Sequence, residues 1–243
     1  MTTTTSAWAD IDGMDAFVAR PDAPGSHPGV ILAPELFGLD DNIKETAHRL
    51  AALGFTVVAP DFHHRTQPRA ALAGDEAGRK RGFELLTLLT REGVLADVEA
   101  TMRHLREYEG AGGRIGMVGF SAGGHMAYLS AARLPLLATA VIYPGWLTVT
   151  DIPLSTPEPT LTLTPGITGR LLFVVGDEDH VISQAQRGEI ERELKASGVR
   201  HDFVVYPGAG HPFLFEGRET YDADAAADTW RRVEELLRDE LRR

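Results

Sequence analysis

Cysteine is absent from the 243 residues of this chain, which excludes disulfides, thiolate metal sites and a cysteine nucleophile. Basic runs are nearly absent as well. Only Arg79-Lys80-Arg81 interrupts a balance of 24 Lys and Arg against 35 Asp and Glu, a net charge of −11. A surface of that sign repels phosphate backbones and anionic lipid, so neither nucleic acid nor membrane is an expected partner. No apolar run approaches the ~20 residues of a membrane span. The opening Met1-Thr2-Thr3-Thr4-Thr5-Ser6 is polar and lacks the apolar core of a secretion signal. Together these absences predict a cytoplasmic chain with a polar tail over residues 1–7. No repeat or linker divides the remainder, so residues 8–243 are expected to form one domain.

What is present is an alternation of short apolar runs with amphipathic segments, the pattern of a mostly parallel, doubly wound α/β sheet with helices on both faces. The runs predict strands at 29–33, 55–59, 114–118, 138–143, 170–175 and 201–206. A hairpin is expected within 7–19, turning at Asp12-Gly13. Helices fit at 41–53, 75–89, 92–109, 122–133, 183–197 and 223–242. The last places Trp230, Val233, Leu236, Leu237 and Leu241 on one face. Residues 144–169 carry five prolines and predict an ordered loop over the sheet's C-terminal edge. The stretch is too short for a separate lid domain, so access to the site is expected to be open.

The most informative motif is Gly119-Phe120-Ser121-Ala122-Gly123, placed between a predicted strand and a predicted helix. In that context Gly-x-Ser-x-Gly reads as a nucleophile elbow. The turn is tight enough to hold Ser121 in a strained backbone geometry, and the small residues at 119 and 123 let neighbouring chain approach. The serine hydroxyl then sits at a helix N-terminus, where backbone N–H groups can stabilise an oxyanion.

A serine hydroxyl titrates far above neutrality, so Ser121 needs a base, and the base needs an orienting partner. In an elbow architecture the nucleophile, acid and histidine follow in that chain order, each after a strand. After the strand at 170–175 come Asp177 and Asp179. Asp179, on the far side of the turn, is the preferred acid, and Asp177 the residue that supports the turn. After the strand at 201–206, the side-chain-poor run Gly208-Ala209-Gly210 leads to His211. Of nine histidines, it alone occupies the right place in that order. His125 and His180 lie close to the other members, on a helix turn and past the acid, where either could line the pocket. The pair His63-His64 raises a metal site, yet no ligand spacing such as His-Glu-x-x-His accompanies it, so neither metal nor cofactor is expected. The loop Glu35-Leu36-Phe37-Gly38-Leu39 follows the strand neighbouring the elbow strand. It offers the Leu36 N–H as an oxyanion donor beside that of Ala122. Glu35, among apolar neighbours, is costly unless paired, so it reads as functional or as salt-bridged inside the pocket. Phe37, Tyr143, Trp146, Phe213 and Phe215 are expected to shape the pocket.

These motifs, with Val57-Val58-Ala59-Pro60-Asp61 and the segment from Tyr206 to Phe213, make the chain resemble the dienelactone hydrolase family of α/β-hydrolases from about Asp12 onward. The resemblance implies an α/β-hydrolase fold, and Ser121, Asp179 and His211 as a catalytic triad. It also implies Leu36 and Ala122 as oxyanion donors, Arg79 or Arg81 as a contact for a substrate carboxylate, and Tyr143 in the pocket. The family's namesakes use a cysteine nucleophile that a glutamate matching Glu35 holds at rest; here the nucleophile is serine. Pro212 stands where the family carries a polar residue.

The expected activity is hydrolysis of a small ester or lactone through an acyl-enzyme, by a monomer or homodimer. A second expectation is an acyl-transferring, cyclising or eliminating enzyme that uses Glu35 as a base and excludes water. A third is a non-catalytic binding module that kept the fold.

Overall fold

A computed structural model describes residues 3–242. Eight strands form one sheet in the order β1-β2-β4-β3-β5-β6-β7-β8. β1 (Thr4–Ile11) and β2 (Met14–Pro21) make the expected hairpin around Asp12-Gly13. β2 pairs antiparallel with β4 (Thr56–Pro60). From β4 through β3 (Gly29–Ala33), β5 (Ile115–Phe120), β6 (Ala138–Ile142), β7 (Arg170–Gly176) and β8 (His201–Tyr206) the ladder is parallel. β3, β4, β5 and β6 are buried at every position, as strands covered on both faces must be.

The hairpin begins earlier than expected. Thr4, Thr5, Ser6 and Ala7 pair with residues 18–21, so most of the stretch read as a polar tail is strand. Met1 and Thr2 lie outside the described residues. The physical reason is that β-branched threonine suits a half-exposed edge strand, where a polar outer face costs nothing.

Among the described residues there are six α-helices. α1 (Asp41–Ala52) and α6 (Ala223–Leu241) share one face, where Arg49 of α1 lies over the Trp230 ring of α6. α3 (Arg91–Glu107) and α4 (Ala122–Arg133) pack together on the other. α2 (Glu76–Leu86) and α5 (Gln184–Ala196) complete the set. Side chains of Asp40, Asp75, Thr90, Ser183 and Asp222 cap five of these helices, satisfying amides that lack an intrahelical partner. Residues 144–169 form an ordered segment with two 3-10 turns, Pro153–Ser155 and Thr160–Gly166, and no separate lid.

The strand order reverses at β3, which has β4 on one side and β5 on the other. In open α/β sheets the crevice beyond the C-terminal strand ends at such a switch point is where ligands bind. Here the chain leaving β5 is Ser121 and the chain leaving β3 is the Glu35 loop.

Candidate active site

Ser121 joins β5 to α4 with φ 52° and ψ −114°, a conformation that L residues adopt only when their surroundings impose it. The surroundings are glycines. A Cβ on Gly119 would lie 2.0 Å from the Gly123 carbonyl oxygen, and one on Gly123 would lie 2.3 Å from that of Ala33. The elbow therefore closes only on glycine at both positions. Ser121 is 5% exposed.

Its Oγ lies 3.0 Å from His211 Nε2, and His211 Nδ1 lies 2.9 Å from Asp179 Oδ2. A carboxylate oxygen only accepts, so the ring proton sits on Nδ1 and Nε2 is left to accept from the serine hydroxyl. The other Asp179 oxygen, Oδ1, accepts from the amides of Val181 (2.7 Å) and Ile182 (3.1 Å), which fixes the carboxylate plane. Asp177 instead accepts from the Gly208 amide at 2.6 Å and ties the acid loop to the histidine loop. Gly176 makes that joint possible, since its Cβ would lie 1.9 Å from the Ala209 carbonyl oxygen.

A cavity of about 650 Å³ opens over Ser121 and His211. Leu36, Phe37, Phe83, Trp146, Val181 and Pro212 give it apolar walls, and Arg79, Arg218, Glu219 and His180 give it charge or hydrogen bonds. Glu35 stands at its edge, 6% exposed. Its Oε1 accepts from the Tyr143 hydroxyl at 3.1 Å, and Oε2 lies 3.4 Å from Arg218 Nη2. Loss of water pushes its carboxyl pKa up, against the pull of Arg218 and His211. Burial, reinforced by Glu35, pushes the Tyr143 phenol well up, so that group stays a donor. The Arg218 guanidinium is stacked 4.3 Å over the Phe37 ring and lies 3.8 Å from Asp40.

The dienelactone hydrolase family model matches residues 14–241. The chain belongs to that family. A Synechocystis sp. protein assigned as a carboxymethylenebutenolidase is 33% identical over 93% of this chain and 92% of its own length. A Bradyrhizobium sp. protein assigned as a 2-oxo-3-(5-oxofuran-2-ylidene)propanoate lactonase is 32% identical over 92% and 90%. A Klebsiella pneumoniae crystal structure, assigned as a dienelactone hydrolase, superposes with a TM-score of 0.87 at 26% identity, covering 97% of this chain and 98% of that one. The fold is that of the α/β-hydrolases, and this dienelactone hydrolase family member is an enzyme of the ester and lactone hydrolase class.

In this hydrolase several expected pocket residues stand elsewhere. Arg79 lines the cavity and, among the described residues, makes no ion pair. Arg81 does not line it; its guanidinium bonds Gln67 and Glu84 at the surface. Residues two positions apart on a helix point about 200° away from each other, so Arg79 and Arg81 cannot both face one cavity. Tyr143 and Phe213 are fully buried behind the site. There Tyr143 anchors Glu35, and Phe213 packs edge-on against Tyr143 and Tyr206. Phe215 packs against Phe120 rather than facing the cavity. His180 does reach the wall, edge-on to the His211 ring. His125 is fully buried and points away from it, into the 144–169 segment. Phe37, Trp146, Leu36 and Ser121 line the cavity as expected; Ala122 opens α4 beside it.

His64 lies 3.3 Å from Asp97, while His63 is buried with its pKa lowered to about 4, chiefly by loss of water. Among the described residues no group of three or more His, Asp or Glu is placed to hold a metal ion. No helix among them is long and apolar enough to cross a membrane. Arg218, the counter-charge of Glu35, was not legible in the sequence, because 183 positions separate the two.

Proposed function

We propose that the enzyme hydrolyses small esters or lactones carrying an anionic group, through an acyl-enzyme on Ser121. The hydrogen-bonded line from Ser121 through His211 to Asp179, at the floor of a cavity with an uncommitted arginine, carries the reading. His211 Nε2 takes the hydroxyl proton as Ser121 Oγ attacks the carbonyl carbon. The resulting oxyanion lies at the N-terminus of α4, where the Ala122 N–H and the Leu36 N–H stabilise it. Asp179 holds the imidazole in the tautomer that accepts this proton and stabilises the imidazolium that forms. His211 then returns the proton to the departing oxygen. In a lactone that oxygen stays tethered to the acyl chain. Water, deprotonated by the same nitrogen, releases the acid and regenerates Ser121.

The carboxylate named in the relatives' substrates fits Arg79. Arg218 is already engaged by Glu35, Asp40 and Phe37, whereas Arg79 meets the cavity unpaired. Serine replaces the family's usual thiol, and here Glu35 holds its own partners rather than the nucleophile. Glu35 is thus a counter-charge of the pocket wall and not a poised base, which favours water over a cyclising or eliminating route.

The test is labelling with a fluorophosphonate together with turnover of a p-nitrophenyl ester. The parent enzyme should label at Ser121 and turn over repeatedly, and Ser121→Ala should do neither. Labelling without repeated turnover would point to acyl transfer to an acceptor other than water. Undiminished turnover in a folded Ser121→Ala would remove the serine mechanism.

A further inference from the structure

Trp146 forms part of the cavity wall at φ 60° and meets Phe83 edge-on with ring centroids 6.2 Å apart. It belongs to the irregular segment 144–169, so neither a helix nor a strand fixes it. A buried polar chain does. His125, on α4 one turn beyond Ser121, lies 2.8 Å from the carbonyl oxygen of Gly145 through Nδ1 and 2.8 Å from Thr160 Oγ1 through Nε2. The carbonyl only accepts, so the ring proton is on Nδ1, and Nε2 accepts from the Thr160 hydroxyl. A hydroxyl has one proton, so the longer 3.3 Å approach of Thr160 Oγ1 to the Leu154 carbonyl oxygen is the weaker alternative.

The Thr160 oxygen also accepts from Arg91 Nη2 at 3.2 Å. Arg91, at the start of α3, further donates from Nε to the Leu154 carbonyl oxygen (2.8 Å), from Nη1 to Glu158 Oε1 (2.9 Å) and from Nη2 to the Glu158 carbonyl oxygen. The Leu161 amide bonds the Leu147 carbonyl oxygen, so the Thr160 turn also grips the chain on the far side of Trp146. Gly145 and Leu147 are therefore both tied, and the residue between them is the tryptophan. Thr160 and His125 are fully buried, and their polar atoms would be left unsatisfied if the chain were broken. A surface loop needs no such arrangement, and none of these side chains touches the nucleophile.

We propose that Thr160, bridging Arg91 and His125, is a positioning residue that sets Trp146 and thereby the enzyme's selectivity for esters with an aromatic acyl group. The proposal rests on the hydrolytic reading for its substrates, but its structural half stands independently. Thr160→Val keeps the shape and removes the hydroxyl; Thr160→Ser restores it. Hydrogen exchange of the peptide over 144–147 should quicken about tenfold in Thr160→Val while α6 is unchanged, because the opening is local. The ratio of kcat/KM for p-nitrophenyl phenylacetate to that for p-nitrophenyl acetate should fall about fivefold, through KM, because a pre-set wall is lost rather than a reacting group. Thr160→Ser should keep the parent values of both. Unchanged exchange, or a ratio that does not fall, overturns the proposal. Should Thr160→Val not fold, Arg91→Lys carries the same measurements, because it keeps the charge but loses the guanidinium fork. If Ser121→Ala retained its turnover, the hydrolytic reading would fail alone, and the exchange result would still judge the role of Thr160.

Discussion

Two buried carboxylates stand close to Ser121 and His211, and they are held in opposite ways. Asp179 is fixed from its own loop: the amides two and three residues ahead bond one oxygen, and the other faces His211. Glu35 depends on a phenol from beyond β6 and a guanidinium from the loop before α6, at 3.1 and 3.4 Å. Backbone amides already set by a turn need no further ordering, whereas a long arginine side chain must lose rotamer freedom to hold its place. The result is a rigidly held carboxylate against His211 on one side and a desolvated counter-charge of Arg218 on the other, with a carboxyl pKa pushed up. Burial is almost equal, 5% against 6% exposed, so it does not distinguish them. What distinguishes them is the kind of donor each one meets.

The largest effect should fall on the rigid side. His211→Ala should lower kcat/KM about as far as Ser121→Ala, on the order of 10⁴-fold, and the double variant should be little worse than either, because the pair acts as a unit. Losses that multiplied in the double variant would mean that serine and histidine serve separate steps. Next comes the acid. Asp179→Asn should cost about 10²–10⁴-fold by stabilising the wrong imidazole tautomer. Asp177→Asn, which disturbs only the Gly208 joint, should cost less than about tenfold. A reversed order in kcat/KM would reassign the orienting residue.

A similar contrast separates the two cavity arginines. Arg218 is paired and stacked, whereas Arg79, among the described residues, makes no ion pair. Arg79→Gln should raise KM about tenfold for an ester bearing a carboxylate and leave that of a neutral ester unchanged, the size of one charge-assisted contact. Equal KM changes for both substrates would show that Arg79 does not read the anion.

How much of this was visible in the sequence follows the range of the interactions. The strands, the helices and the order of Ser121, Asp179 and His211 are written in local pattern and chain order, and the sheet places them accordingly. The split between Asp177 and Asp179 was visible too, because it depends on where a turn begins and ends. Arg79 and Arg81 stand as alternatives in the sequence, and helical periodicity lets only one of them face the cavity, which is Arg79. Phe213 and Tyr143 were expected in the cavity and lie behind it, since an aromatic type does not say which side of a loop it packs against. The opening threonines looked like a tail because nothing in their pattern announces an edge strand. Arg218 leaves no trace at all, as its meaning comes only from a carboxylate brought to it by the fold.

The smallest effect expected from the comparison is on the adjustable side, and its sign is informative. Both Glu35 oxygens are engaged away from Ser121, so Glu35→Gln should lower kcat by less than about tenfold. The same variant should change stability with pH. A carboxyl whose folded-state pKa is raised favours the fold fully below its unfolded pKa and loses that contribution as pH rises through the folded value. Ionising Glu35 thus costs more inside the fold than in the unfolded chain, even with Arg218 beside it, so its charge lowers stability at neutral pH. Glu35→Gln should accordingly raise the melting temperature relative to the parent more at pH 7 than at pH 4, as measured by thermal unfolding at the two pH values. A melting temperature that falls at pH 7 would mean that the Arg218 pairing outweighs the lost hydration. Glu35 would then hold the wall as firmly as Asp179 holds His211, and the distinction between the two carboxylates would disappear.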